Sequence, residues 1–235
     1  MSAGLDALEA RIGHRFRDRS LLERALTHAS FPHENPGGGG DNQRLEFLGD
    51  SVLQLVLTEA LFSLYPGDDE GALTLRRAVL TGGRFLAAMA RGAGIDACMI
   101  LGANEEASGG RARDAAAEDA FEALVGAVNL DGGIEAARRM ILHLYGDIPG
   151  RVASLEGHAN PKGRLQEIVQ PEHGNGAVRY EVTAAEGEDH RKSYLVTVLV
   201  NGRRLGDGRG SSKKAAEEEA ARAALAALGR PPPAQ

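Results

Sequence analysis

Cysteine occurs once in the 235 residues, at Cys98. No disulfide can form within the chain, so a disulfide-stapled secreted scaffold and a four-cysteine zinc site are both excluded. Long apolar runs are missing as well. No stretch of about 18 apolar residues occurs, and no membrane span is expected. The first 19 residues alternate acids and bases, with no apolar run ahead of a small-residue cleavage site; a signal peptide is not expected, and the cytoplasm is the default compartment. The glycine run 37–40 lacks the Lys-Ser/Thr that would follow in a phosphate-cradling loop. What is present is a 43% hydrophobic content, sufficient for a packed core, over a length that suits one large domain or two small ones.

The net charge of −6 hides an asymmetry. Residues 1–150 carry 14 Lys and Arg against 22 Asp and Glu, while residues 151–235 carry 13 against 11. All four lysines, Lys162, Lys192, Lys213 and Lys214, fall in the second part. Two units with different electrostatic work are the natural reading, with chance drift of surface charge as the alternative. The change coincides with Asp147-Ile-Pro-Gly150 and with Asn160-Pro-Lys-Gly163, which punctuate the end of one helical pattern and the start of another. We therefore expect a first domain over 1–148, a linker over 149–159, a second domain over 160–229 and a disordered Pro-rich tail over 230–235.

The first part reads as helices throughout: 5–12, 20–27, 44–64, 71–89 in one or two pieces, 113–130 and 134–144, each with apolar residues at i, i+3, i+4. In the second part the period changes. Residues 161–170 are helical, 178–182 and 193–200 alternate as strands, Asn201-Gly202 signals a tight hairpin into 203–205, and 212–228 is a helix with an alanine face. The fold class is α+β overall: an all-α domain followed by a small α-β-β-β-α domain.

Carboxylates stand where burial should forbid them. From Leu45 to Leu57 the chain is apolar nearly all round, yet Glu46 and Asp50 share one face at i, i+4, with no Lys or Arg three or four residues further along to pair with either. Burying an unpaired carboxylate costs several kcal/mol, or shifts its pKa until it neutralises. Asp119 and Glu122 repeat the pattern at i, i+3. If the two helices face each other, four acids meet, and all-oxygen ligation suits Mg²⁺ or Mn²⁺ rather than zinc. The plain alternative is helix capping, or pairing with an arginine such as Arg44. Asp68-Asp69-Glu70 precedes another helix, where acids simply favour the helix dipole.

Asn42-Gln-Arg-Leu-Glu-Phe-Leu-Gly-Asp-Ser-Val-Leu53 closely resembles the signature of bacterial ribonuclease III. The resemblance extends through 25–30, 69–71, 105–110, 117–124 and 130–133, and residues 160–229 look like the double-stranded-RNA-binding domain that usually follows in this family. It implies an all-helical endonuclease domain working as a homodimer. With Mg²⁺ it would cut both strands of an RNA duplex, leaving 5′-phosphates, 3′-hydroxyls and short 3′ overhangs, in the processing of precursor ribosomal RNA and other structured transcripts. Glu46, Asp50, Asp119 and Glu122 match the family's metal-binding acids, with Asp50 and Glu122 the pair assigned most directly to catalysis. Glu70 matches an auxiliary acid. Gln43 stands where the signature usually has Glu, which removes an anionic ligand at an accessory position only. Ala115, Ala116 and Ala117 replace a serine and larger aliphatics before Asp119.

Duplex RNA hides its bases in a deep, narrow major groove, so proteins grip its shape, its phosphates and its 2′-hydroxyls. Gln166 and Glu167 suit a minor groove, His190 in a turn suits an adjacent one, and Lys213 and Lys214 at a helix start suit phosphates. Glu217-Glu-Glu219 reads as a solvated face and Cys98 as a buried filler. His28 and Ser30 lack an acid partner and an elbow motif, so structural or dimer-contact roles are expected of them. A binding-only regulator of duplex RNA has Gln43 as its sole support. A hydrolase of another phosphate ester would not need residues 160–229.

Overall fold

A computed structural model describes residues 2–228 except 38, 160, 175 and 187–191. The tail 230–235 and His190 therefore lie outside the described residues. The chain divides into two compact units, Met1–Arg151 and Val152–Gln235.

The first unit is helical: α1 (Ser2–Ile12), α2 (Arg19–Ala25), α3 (Ser30–Glu34), α4 (Gln43–Leu64), α5 (Glu70–Leu80), α6 (Gly83–Ala93), α7 (Ala103–Ala107), α8 (Asp114–Gly132) and α9 (Ile134–Tyr145). Of the one or two pieces expected over 71–89, the structure has two, because Thr81-Gly82 interrupts the run: Thr81 caps α5 and the extended Gly82 opens α6. Helix α10 (Ile148–Ala159) covers the whole stretch 149–159 expected as a linker. The short α3 and α7 carry no periodic signal of their own.

Two helices form the centre. In α8, Ala116, Ala117, Ala120, Phe121 and the whole run Ala123–Val128 are buried, so little of this helix reaches water. Helix α4 buries Leu45, Gly49, Val52, Leu53, Val56, Leu57 and Leu61, a stripe at helical spacing, and it packs along α8 and α9. Full burial of side chains such as Leu53, Leu57, Phe121 and Leu124 contributes about 1.5–3 kcal/mol each. By length and composition alone α4 is long and apolar enough to cross a membrane, which no stretch was expected to be. In the fold it is instead the core helix that carries Glu46 and Asp50. It ends at Tyr65-Pro66-Gly67, where proline cannot continue the ladder.

The C-terminal end of α8 is tied to the N-terminal segment. Asp131, with only 2% of its side chain exposed, accepts the backbone N–H groups of Arg17 at 3.0 Å and Asp18 at 2.9 Å and pairs with His14 Nε2 at 2.9 Å. An acid opposes the dipole at a helix C-terminus; here three donors from residues 14–18 compensate it. Cys98 is half-buried rather than buried, its thiol 3.8 Å from the Gly4 carbonyl.

The second unit contains α11 (Pro161–His173), an antiparallel meander β1 (Val178–Glu186), β2 (Ser193–Val200) and β3 (Arg203–Gly210), and α12 (Lys213–Leu228). Val200 pairs with Arg203, leaving Asn201 (φ +50°) and Gly202 (φ +77°) as a two-residue hairpin turn. Strand β3 runs well past the expected 203–205. Its alternate glycines Gly206, Gly208 and Gly210 lie under α12, where a Cβ on Gly206 would meet Ala220 O at 2.7 Å and one on Gly210 would meet Ala216 N at 2.6 Å. The alanine face of α12, Ala216, Ala220, Ala221 and Ala224, completes a core with Leu165, Val169, Val196 and Val198.

Candidate active site

Helices α4 and α8 touch backbone to backbone. A Cβ on Gly49 would overlap the Glu122 carbonyl and stand 2.8 Å from Gly126 N, and one on Gly126 would overlap the Leu45 carbonyl. The acids flank this crossing. Glu46 and Asp50 lie either side of Gly49, and Glu122 lies one turn before Gly126, with Asp119 a further turn back.

Their electrostatics follow from that closeness. Burial, reinforced by the charges of Asp50, Glu118, Glu46 and Asp119, pushes the Glu122 carboxyl up to about 8. Glu46 is raised by burial and then by Asp119, Glu118 and Asp50. Asp119 is raised by burial, opposed by His28. Asp50 accepts both hydrogen bonds of the Gln54 amide, at 2.8 and 3.0 Å. Among the described residues no Lys or Arg pairs with Glu46, Asp50, Asp119 or Glu122, so the arginine-paired alternative does not describe this group; Arg44 is exposed and makes no ion pair with them.

A fifth acid belongs here. Glu118 is raised by burial and by Asp119, Asp114 and Asp50, and its carboxylate packs on the Cα of Gly83 at the start of α6. It adjoins Asp119 in the sequence, but helical spacing from Glu122 does not set it apart from an exposed helix acid. Gln54 was likewise missed; an amide one turn after Asp50 is its only signal.

The donor set is all oxygen, anionic and without cationic partners among the described side chains, which fits a hard divalent ion. The fit is one of donor chemistry rather than of a finished cage: among the described residues no three His, Cys, Asp or Glu side chains are already set to hold an ion.

Glu70 is not part of this group. It sits in the first turn of α5 beside a hollow of about 470 Å³ lined by Thr58, Phe62, Leu73 and Arg77, and it is not among the charges acting on the four acids. Gln43 is the exposed first residue of α4.

In the second unit Gln166 and Glu167 are exposed on α11, Glu167 pairing with Arg164 at 3.0 Å. Lys213 and Lys214 are the exposed first residues of α12, whose start is capped by Ser212 Oγ accepting from Ala215 N at 3.1 Å. Glu217 is not merely solvated. It forms an ion pair with Lys162, whose ammonium lies 4.7 Å from the centre of the Tyr180 ring, and so ties α12 to the start of α11.

A helical unit with carboxylates gathered at its central crossing, followed by an α-β-β-β-α unit with lysines at a helix start, defines a nuclease joined to a nucleic-acid-binding module. Residues 18–147 match the Ribonuclease-III-like family model and residues 161–228 match the double-stranded RNA binding motif. Ribonuclease 3 of Pelotomaculum thermopropionicum is 44% identical over 94% of this chain and 92% of its own. That of Heliobacterium modesticaldum is 46% identical over 93% and 92%. A solved nuclease domain of ribonuclease III from Campylobacter jejuni, described for structural flexibility in a region involved in dimer formation, superposes with a TM-score of 0.58 at 36% identity over 62% of this chain and 99% of that one. The chain belongs to the ribonuclease III family and is a ribonuclease.

Proposed function

We propose that this ribonuclease is a Mg²⁺-dependent endonuclease that, as a homodimer, cuts both strands of double-stranded RNA. The products carry 5′-phosphate and 3′-hydroxyl ends with short 3′ overhangs, and the substrates are precursor ribosomal RNA and other structured transcripts of the cytoplasm. Mn²⁺ is expected to substitute. The observation that carries this reading is the gathering of Glu46, Asp50, Asp119 and Glu122 at the α4–α8 crossing with no Lys or Arg paired to them among the described residues. These four would hold the ion, and Asp50 and Glu122 stand closest to the chemistry. A divalent ion bound there lowers the pKa of a water nucleophile and neutralises charge on the phosphate. Gln54 fixes the Asp50 carboxylate through both oxygens. Lys213 and Lys214 at the start of α12 meet phosphates, Gln166 and Glu167 on α11 meet 2′-hydroxyls, and His190 meets a neighbouring minor groove.

The dimer is supported by α4 itself. Phe47, Leu55 and Phe62 lie along one side of the helix and are 80%, 48% and 70% exposed, an apolar stripe beside the acids. Glu70, outside its own chain's acid group, keeps an auxiliary role in placing RNA or the cleavage centre.

The test is cleavage of a long perfect RNA duplex with Mg²⁺, with the product ends mapped, beside Asp50→Asn and Glu122→Gln. Loss of cutting by at least about a hundredfold in each variant is expected if both act directly on the reaction. Wild-type cutting by either would remove that residue from the mechanism, and tight duplex binding without Mg²⁺-dependent cutting would make the protein a binder only.

A further inference from the structure

Glu217 has a potential partner on its own helix and does not take it. Lys213 stands one turn before it on α12, the spacing at which ion pairs form along a helix, yet Lys213 has no acid partner among the described residues, whereas the adjacent Lys214 reaches Glu218 at 3.9 Å. Glu217 pairs instead with Lys162, 55 positions earlier and the second residue of α11. A cation at that place opposes the helix dipole, which the acid offsets. The Lys162 ammonium is held from another side by the ring of Tyr180 on β1, whose centre is 4.7 Å away. The Tyr180 hydroxyl is buried and meets no hydrogen-bond partner among the described residues, so the ring face is what this side chain offers. Water screens the pair only in part, with 37% of the Lys162 and 26% of the Glu217 side chain exposed. A base, an acid and an aromatic from three elements thus meet at one point. That point lies one helical turn from each RNA-binding position: Lys162 precedes Gln166 by four residues, and Glu217 follows Lys213 by four. Leu165 and Val169 pack α11 on the alanine face of α12 further along, so the ion pair is the polar tie at the ends that carry these residues.

We propose that Lys162 and Glu217 are positioning residues for duplex RNA: their ion pair, seated on Tyr180, is a strut that fixes Gln166 and Glu167 on α11 at a set distance from the phosphate-binding start of α12. This rests on the RNA-binding reading above. A duplex is recognised by shape, so its minor groove and the phosphates beyond it lie at a fixed spacing, and two elements already held at that spacing need no ordering on binding. Electrostatics alone gives the opposite sign for Glu217. Removing a merely solvated acid from a surface that meets phosphates would tighten binding, and so would releasing Lys162 to contact RNA directly.

The experiment uses the full chain with divalent metal chelated, so that the duplex stays uncut. It reads affinity for a labelled RNA duplex by filter binding, well below the unfolding midpoint, beside thermal unfolding. Glu217→Gln and Lys162→Met should each weaken binding about fivefold, and the double variant should bind no more weakly than the weaker single, because the same strut is lost in all three. Lys162→Arg, which keeps the charge and the ring contact, should stay within about twofold of wild type. A purely structural pair would lower the unfolding midpoint and leave the affinity of the folded chain unchanged. Glu217→Gln binding within about twofold of wild type, or more tightly, overturns the proposal, as do losses that add in the double variant. Unfolding of the second unit in both single variants at the assay temperature also overturns it, since the pair would then serve the fold alone. Wild-type affinity in the Lys213→Ala/Lys214→Ala variant, or failure of the wild-type chain to bind duplex, would overturn the RNA-binding reading itself.

Discussion

Gly49 on α4 and Gly126 on α8 face each other with no side chain between them, the site of a Gly49 Cβ lying 2.8 Å from Gly126 N and that of a Gly126 Cβ 3.1 Å from Gly49 N. Each opposing atom is backbone, which no rotamer change can move aside. The acids owe their proximity to this contact, because Glu46, Asp50 and Glu122 all lie within one turn of it.

Gly126→Ala should therefore force the helices apart. Overpacking of this kind costs about 1–3 kcal/mol. Thermal unfolding is expected at a lower midpoint, together with a higher Mg²⁺ requirement for RNA cutting. A variant with the wild-type midpoint and metal requirement would show that the crossing relaxes freely.

Asp131 gives the first unit a dependence on acid. Burial alone would raise its carboxyl, but the Asp18 and Arg17 amides and His14 outweigh burial and hold it below the ordinary aspartate value. A depressed folded pKa contributes stability that is fully present above the unfolded value of about 3.9 and is lost as pH falls through the folded value. Wild-type stability should thus fall more steeply below about pH 4 than that of Asp131→Asn, which should be about 2 kcal/mol less stable at neutral pH. Urea unfolding across the acid range measures both.

Phe47 tests the apolar stripe. At 80% exposure, Phe47→Asp should leave the fold of one chain within about 0.5 kcal/mol of wild type. Sedimentation velocity should show the variant shifted from dimer to monomer, with cutting reduced. An unaltered dimer would exclude this face from the interface.

Gly208 sits where α12 presses on β3, and a Cβ there would overlap Ala220 N and Ala216 O. Gly208→Val should open this contact and weaken duplex-RNA binding about tenfold or more, since one 1.4 kcal/mol step is already tenfold. Helical circular dichroism from the first unit should persist. Filter binding of a labelled duplex gives the readout; wild-type affinity would contradict the close packing.

Local pattern was enough for much of this protein. Period 3.6 in the first part and period 2 around Tyr180 and Val196 come from side chains whose neighbours are a few residues away, so helices, strands and the Asn201-Gly202 turn are legible along the chain. The odd acids Glu46, Asp50, Asp119 and Glu122 are legible for the same reason: a charge in an apolar stripe violates a local rule. Close approach between distant segments was not legible. Glycine weakens an isolated strand, so the local pattern ends β3 at 205, whereas the strand extends to Gly210 because α12 lies on its glycines. Glu118 joins the acids, and Asp131 takes its partners from residues 14–18, only through packing. Sequence fixes what each segment prefers, whereas short-range contact energies between remote segments depend on distances that exist only after folding.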